Sequence, residues 1–167
     1  MLQKLKFFLL LVFIVLAQAA CIATQAPIID HNSAIYKVAV APGVSYEDVI
    51  DSLKINAQGM NFVNSASFAI GEQLKLRELA HEEPLEVHAF CNLALGADIM
   101  QDHPEFVVFA PCRIAIYQKK GQLYLALARP TFDLKSIKNP SARAVKAAQA
   151  LENALIRLIQ KSSKGDF

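Results

Sequence analysis

Hydrophobic positions along the chain switch between two periodicities, and these switches predict its secondary structure. Apolar residues at every second position, rich in β-branched side chains, indicate strands, whereas spacings of three and four indicate helices. Ser45 and Asp48 form a capping box at the start of one such helix. The predicted elements are strand 34–41, helix 45–59, strand 60–70, helix 72–79, strand 85–91, helix 92–102, strand 106–117, strand 123–128 and helix 140–161.

This order of elements predicts an α+β fold. Strands and helices alternate through most of the chain, and residues 119–122 join the last two strands as a hairpin turn. We therefore expect a single compact domain with a mixed β-sheet of four to five strands. It should contain a β-α-β unit and a hairpin, with covering helices that include the C-terminal one. Within strand 85–91, His88 has the parity opposite to the apolar positions and is expected to face solvent.

Residues 1–20 have the order of an export signal. Lys4 and Lys6 form a positive start, ten apolar residues follow over 7–16, and small residues over 17–20 precede the expected cleavage site. Ten apolar residues are too few to span a bilayer comfortably. We therefore expect a cleaved signal peptide, a spacer over 21–33 and a single domain over 34–167, located in the periplasm or cell envelope.

Cys21 leaves a second processing route open. It stands where a bacterial lipoprotein carries its lipidated cysteine, but Gln18 occupies the position where such a signal favours leucine. The soluble form is therefore slightly favoured over a lipoprotein. If Cys21 is lipidated, its acyl chains rather than a helix would hold the protein at the membrane.

The charge of the chain changes when the signal is removed. The full sequence has 17 Lys and Arg residues against 15 Asp and Glu residues, and the signal contains Lys4, Lys6 and no acid. The mature chain is then uncharged overall and has no basic run suited to a phosphate backbone, so nucleic-acid binding is not expected. Signatures of P-loop, dinucleotide-binding, zinc-protease, serine-hydrolase and thioredoxin-like proteins are absent from the sequence.

Cys91 and Cys112 are the candidate site, because cysteines in an oxidising compartment seldom remain idle. Three interpretations of the pair stay open. In the first, the two residues are small buried apolar side chains or form a structural disulfide. In the second they form a redox dithiol. In the third they are thiolate ligands of a soft metal or haem. Cys91 directly precedes the helix start at Asn92, where the helix dipole favours an anion.

Strand direction decides whether the two sulfur atoms meet. In a right-handed β-α-β unit, both strands end at the same edge of the sheet. A second strand starting at Phe106 would place Cys112 level with Cys91. A strand starting only at Cys112 would leave the thiols at opposite ends, beyond the roughly 7 Å over which Cα atoms can be bridged. By strand parity, His88 points away from Cys91 and Arg113 points away from Cys112.

Four short motifs and the chain end carry a resemblance to a known family. They are Phe90-Cys91-Asn92, Pro104-Glu105-Phe106, Pro111-Cys112-Arg113-Ile114, Gly121-Gln122-Leu123 and the terminal Gly165-Asp166-Phe167. Together they are similar to the domain of unknown function 302 family, in particular to exported proteobacterial members. The resemblance implies a compact α+β domain that forms homodimers and has no established general activity. The segment 128–133 departs from the Asp-rich segment of many relatives.

The resemblance extends a thiol, metal or haem role only to Cys91, Cys112 and, more weakly, Arg113, with Asn92 beside them. The leading hypothesis is a non-enzymatic exported domain that binds a small ligand, metal or haem, or exchanges electrons, around the two cysteines. One alternative is a purely structural or protein-interaction module. The other is an enzyme with Cys91 as nucleophile, for which no base is identifiable.

Overall fold

The computed structural model of the protein describes residues 30, 32–79 and 81–167. The predicted signal peptide, Cys21 and most of the predicted spacer lie outside the described residues. The strands are β1 (Ile35–Ala39), β2 (Val63–Phe68), β3 (Leu85–Cys91), β4 (Cys112–Lys119) and β5 (Gln122–Ala128). The helices are α1 (Tyr46–Gly59), α2 (Ile70–Lys75), α3 (Leu93–Met100), α4 (Pro130–Asp133) and α5 (Ala142–Ser162), with 3-10 helices at Pro104–Phe109 and Leu134–Ser136.

The five strands form one sheet in the order β1-β5-β4-β3-β2. The predicted α+β domain with a C-terminal helix is confirmed. The sheet, however, is antiparallel at every pairing, so the expected mixed sheet with a β-α-β unit is wrong. Between β3 and β4, helix α3 and the first 3-10 helix return the chain to the end of the sheet where β3 stops. Strand β4 therefore runs back alongside β3.

The predicted strand 106–117 is wrong in its first half. Residues 104–109 form a 3-10 helix, because Pro104 has the fixed backbone angle that suits a first helical position. Of the apolar run that follows, Phe106 is buried in the core, whereas Val107 and Val108 are 59% and 73% exposed. A short apolar run does not by itself distinguish a buried strand from a helical turn.

Helix ends follow local capping chemistry. The capping box at the start of α1 is confirmed, because Asp48 N donates to Ser45 Oγ (3.0 Å) and Ser45 N donates to Asp48 Oδ2 (2.9 Å). Asn61, with a φ of 60°, takes the left-handed position just after α1. Ser141 caps α5 by accepting from Ala144 N at 3.1 Å.

None of the described helices combines the length and apolar character needed to cross a membrane.

The two faces of the sheet differ in their surroundings. One face packs against α1 and α5 and supplies the sheet half of the core, including Tyr36, Val38, Phe90, Ile114, Ile116, Leu125 and Leu127. The opposite face, called here the open face, carries the alternate positions. They include Ile35, Lys37, Val63, Phe68, Leu85, Val87, Ala89, Cys91, Arg113, Ala115, Tyr117, Lys119, Tyr124 and Ala126. Its edges are exposed, with Ile35 at 58%, Val63 at 54% and Phe68 at 58%.

Candidate functional site

Cys91 and Cys112 lie at the same end of the sheet. Strand β3 ends at Cys91, β4 begins at Cys112, and the register pairs Phe90 with Cys112, so the two cysteines are diagonal neighbours. Our expectation that a strand starting at Cys112 would separate the thiols is therefore wrong. It assumed parallel strands, whereas in an antiparallel pair the end of one strand lies beside the start of the next.

The two cysteine side chains occupy opposite faces. Cys112 shares the face of Phe90 and packs against the hydrophobic core. Cys91 has the parity of Ala89 and is paired with the exposed Val63, which places it on the open face. Both are free thiols. Cys91 is one position from Phe90, the direct partner of Cys112, and successive strand residues point to opposite faces, so this arrangement does not favour a disulfide between them.

The core environment makes Cys112 a weakly acidic thiol. Burial raises the pKa of Cys112 to about 12, and the nearby Cys91 and Asp133 charges act in the same direction. The thiolate is the nucleophilic form of cysteine, so a thiol with this pKa is inert at neutral pH. Of the two cysteines, Cys91 is therefore the candidate reacting thiol.

Arg113 supplies a positive charge on the open face. It is exposed and pairs across the strands with Ala89, which precedes Cys91 by two positions on the same face. Burial raises the pKa of Asp133, and the nearby guanidinium of Arg113 opposes that rise. A guanidinium beside Cys91 would attract an anionic reagent or ligand.

The side chain of Asn92 holds the turn between β3 and α3 in place. Its side-chain oxygen accepts from Leu95 N at 3.1 Å, which caps α3, and its side-chain nitrogen donates to the Met60 carbonyl at 3.4 Å. These contacts fix the turn by which the chain leaves Cys91 and enters α3. Asn92 therefore orients Cys91, and its predicted role as a ligand-binding residue stays untested.

His88 is buried under the helices, which corrects the expectation that it faces solvent. It is 6% exposed, and its Nε2 lies 2.9 Å from Glu86 Oε1. The Tyr46 hydroxyl donates to the same oxygen at 2.8 Å. Burial, together with Glu86, raises the pKa of Tyr46 to about 12, so its hydroxyl stays protonated at neutral pH.

Sequence reasoning missed this Tyr46–Glu86–His88 network. Polar residues at alternate strand positions usually mark the solvated face, but here they lie on the helix-covered face and satisfy one another. The tyrosine in the first turn of α1 was the available signal, because a buried tyrosine hydroxyl needs a partner. The network borders a cleft of about 390 Å³ between α1, α2 and β3.

The described side chains do not form a multidentate metal centre. No group of three or more His, Cys, Asp or Glu residues within residues 30, 32–79 and 81–167 is arranged to hold a metal ion. His88 lies on the other face from Cys91, and the two cysteines diverge. A soft metal or haem at this end would therefore take Cys91 as its ligand from the open face.

Comparisons with known proteins place this geometry in a wider context. The sequence model of a family described as "Domain of unknown function DUF302" matches residues 36–161. An uncharacterized protein of Aquifex aeolicus (strain VF5) is 30% identical over 93 residues, which are 56% of this chain and 58% of that protein. The crystal structure of an uncharacterized conserved DUF302 protein from Bacillus stearothermophilus superposes with a TM-score of 0.69 at 20% identity. That likeness covers 77% of this chain and 98% of the other.

Proposed function

Because the chain belongs to the domain of unknown function DUF302 family, whose name assigns no activity, we propose a function from the geometry of the sheet end. The domain acts as an exported, non-enzymatic thiol module in which Cys91 is the reacting group. One observation carries the proposal. Two free thiols lie at one end of the sheet, one against the core with a pKa of about 12 and one on the open face.

The reaction that fits this arrangement is thiol–disulfide exchange with a small acidic disulfide. The Cys91 sulfur attacks the disulfide, a new S–S bond forms at Cys91, the old S–S bond breaks, and the second half leaves as a thiolate. Arg113 attracts a carboxylate of the incoming molecule. Cys112 faces the other way and does not resolve the adduct, so the mixed disulfide persists until an external thiol removes it.

Glutathione disulfide provides a direct test. We expect one glutathione on Cys91 in the wild type and in Cys112→Ala, and none in Cys91→Ser, as read by intact and peptide mass spectrometry. Arg113→Gln should slow the reaction several-fold with glutathione disulfide but not with the neutral hydroxyethyl disulfide. First modification at Cys112, or an internal Cys91–Cys112 disulfide, would contradict the proposal.

A further inference from the structure

A basic cavity lies at the hairpin end of the open face, remote from the cysteines. It has a volume of about 400 Å³ and is lined by Lys37, Tyr117, Lys119, Lys120, Gln122 and Tyr124. Strands β1, β4 and β5 and the turn between β4 and β5 all contribute to it. The cavity is therefore built from three strands of the sheet and the turn that joins two of them.

The charged residues that line this cavity are all positive. Three lysines line it and no carboxylate does. Among the ion pairs of the described residues, none involves Lys37, Lys119 or Lys120. The nearby Glu82 accepts from the backbone nitrogens of Lys120 (2.9 Å) and Gly121 (3.3 Å). These hydrogen bonds, with a smaller contribution from the charge of Lys119, lower the pKa of Glu82, so this one carboxylate offsets part of the lysine charge.

Two tyrosines complete the lining with neutral donors. Tyr117 and Tyr124 face each other across the strands with stacked rings, 5.4 Å between centroids and 16° between planes. Burial raises the pKa of Tyr117, and Tyr124 adds to the rise. The Tyr117 hydroxyl consequently remains protonated at neutral pH and is able to donate a hydrogen bond to an anion.

The turn between β4 and β5 has a lysine, Lys120, at a position where asparagine is favoured. Lys120 and Gly121 have φ values of 52° and 75°, the conformation of a two-residue hairpin turn in which Asn-Gly is favoured. A lysine in the first position is disfavoured because its Cβ crowds the backbone in the left-handed region. Conflicts of this kind between sequence and local structure are expected at functional sites.

We propose that this cavity binds a phosphate-type oxyanion. Three ammonium groups match a divalent anion, lysine is a common point-charge partner of phosphate, and the tyrosine hydroxyl adds a neutral hydrogen bond. Two sources share this chemistry: a free phosphate ester and the phosphate of a lipid headgroup. The inference does not depend on Cys91.

Calorimetric titration of the full chain with inorganic phosphate and with glycerol 3-phosphate tests the site. We expect saturable binding that Lys120→Asn weakens by about tenfold. Since asparagine suits the turn, the same variant should not lower the melting temperature. Lys138→Asn, in an exposed loop, is the matched control and should leave affinity unchanged. Equal weakening by both variants, or no saturable binding, would count against the free-ester source.

A second experiment tests whether the phosphate belongs to a lipid headgroup. Co-sedimentation with phosphatidylglycerol vesicles, compared with phosphatidylcholine vesicles, should depend on Lys120 if a headgroup occupies the cavity. Lys120-dependent binding in either arm supports the site and identifies the source of the phosphate. Absence of Lys120-dependent binding in both arms overturns the proposal.

Discussion

Replacing Glu152 by alanine is expected to destabilise the protein by about 3–5 kcal/mol, because it leaves a buried arginine without its counter-ion. Glu152 and Arg129 are 2% and 5% exposed. The guanidinium donates to Glu152 Oε1 through Nε (3.0 Å) and Nη2 (2.8 Å), and Thr131 N donates to Oε2 at 3.1 Å. Urea denaturation of wild type and variant measures the loss.

Two further variants separate the charge effect from lost packing. The double variant Arg129→Met/Glu152→Leu should recover most of the loss, since it removes both charges together. Arg143→Ala breaks an exposed ion pair with Asp102 and should destabilise the protein much less than Glu152→Ala does. A Glu152→Ala protein within 1 kcal/mol of wild type, or a double variant no better than the single one, would contradict this explanation.

Replacing Phe90 by alanine should also lower the free energy of unfolding by about 3–5 kcal/mol, because it leaves a cavity in the core. Phe90 is fully buried and lies directly opposite Cys112 in the register. Its removal creates a cavity that the surrounding sheet and helices do not fill. The melting temperature and the urea midpoint should fall together. Val108→Ala, at an exposed apolar position, is the control and should stay within about 0.5 kcal/mol of wild type.

The Phe90 variant also connects stability to the site. Loss of the Phe90 ring would loosen the packing around Cys112, and the burial that raises the pKa of this thiol would weaken. Cys112 should then react with alkylating reagents at a lower pH than in the wild type. If Cys112 stays equally inert in folded Phe90→Ala protein, packing around Phe90 is not what suppresses its reactivity.

Local chemistry made several elements predictable from the sequence. Ser45 and Asp48 signalled the start of α1, and the Lys120–Gly121 turn signalled the hairpin. The bounds of β3 were also predicted, because strict alternation between residues 85 and 91 ends at the cap residue Asn92. In each case the information lies within a few neighbouring residues.

Strand direction and the choice of buried face were not predictable in this way. The antiparallel pairing of β3 with β4 depends on how α3 and the 3-10 helix at Pro104–Phe109 pack. His88 was assigned to the wrong face because the apolar positions of β3 line the open face, whereas Glu86 and His88 satisfy each other beneath the helices. When both faces of a strand are partly apolar, only tertiary packing determines which face is buried.

The relative reactivity of the two cysteines in the native protein is the most direct test of the account. Each sulfur is labelled with iodoacetamide over a pH series and quantified by peptide mass spectrometry. Cys91 should be alkylated at neutral pH, whereas Cys112 should stay protected until the pH approaches about 12 or the protein unfolds. Equal labelling of both residues at neutral pH, or faster labelling of Cys112, would contradict the assignment of Cys91 as the reacting thiol.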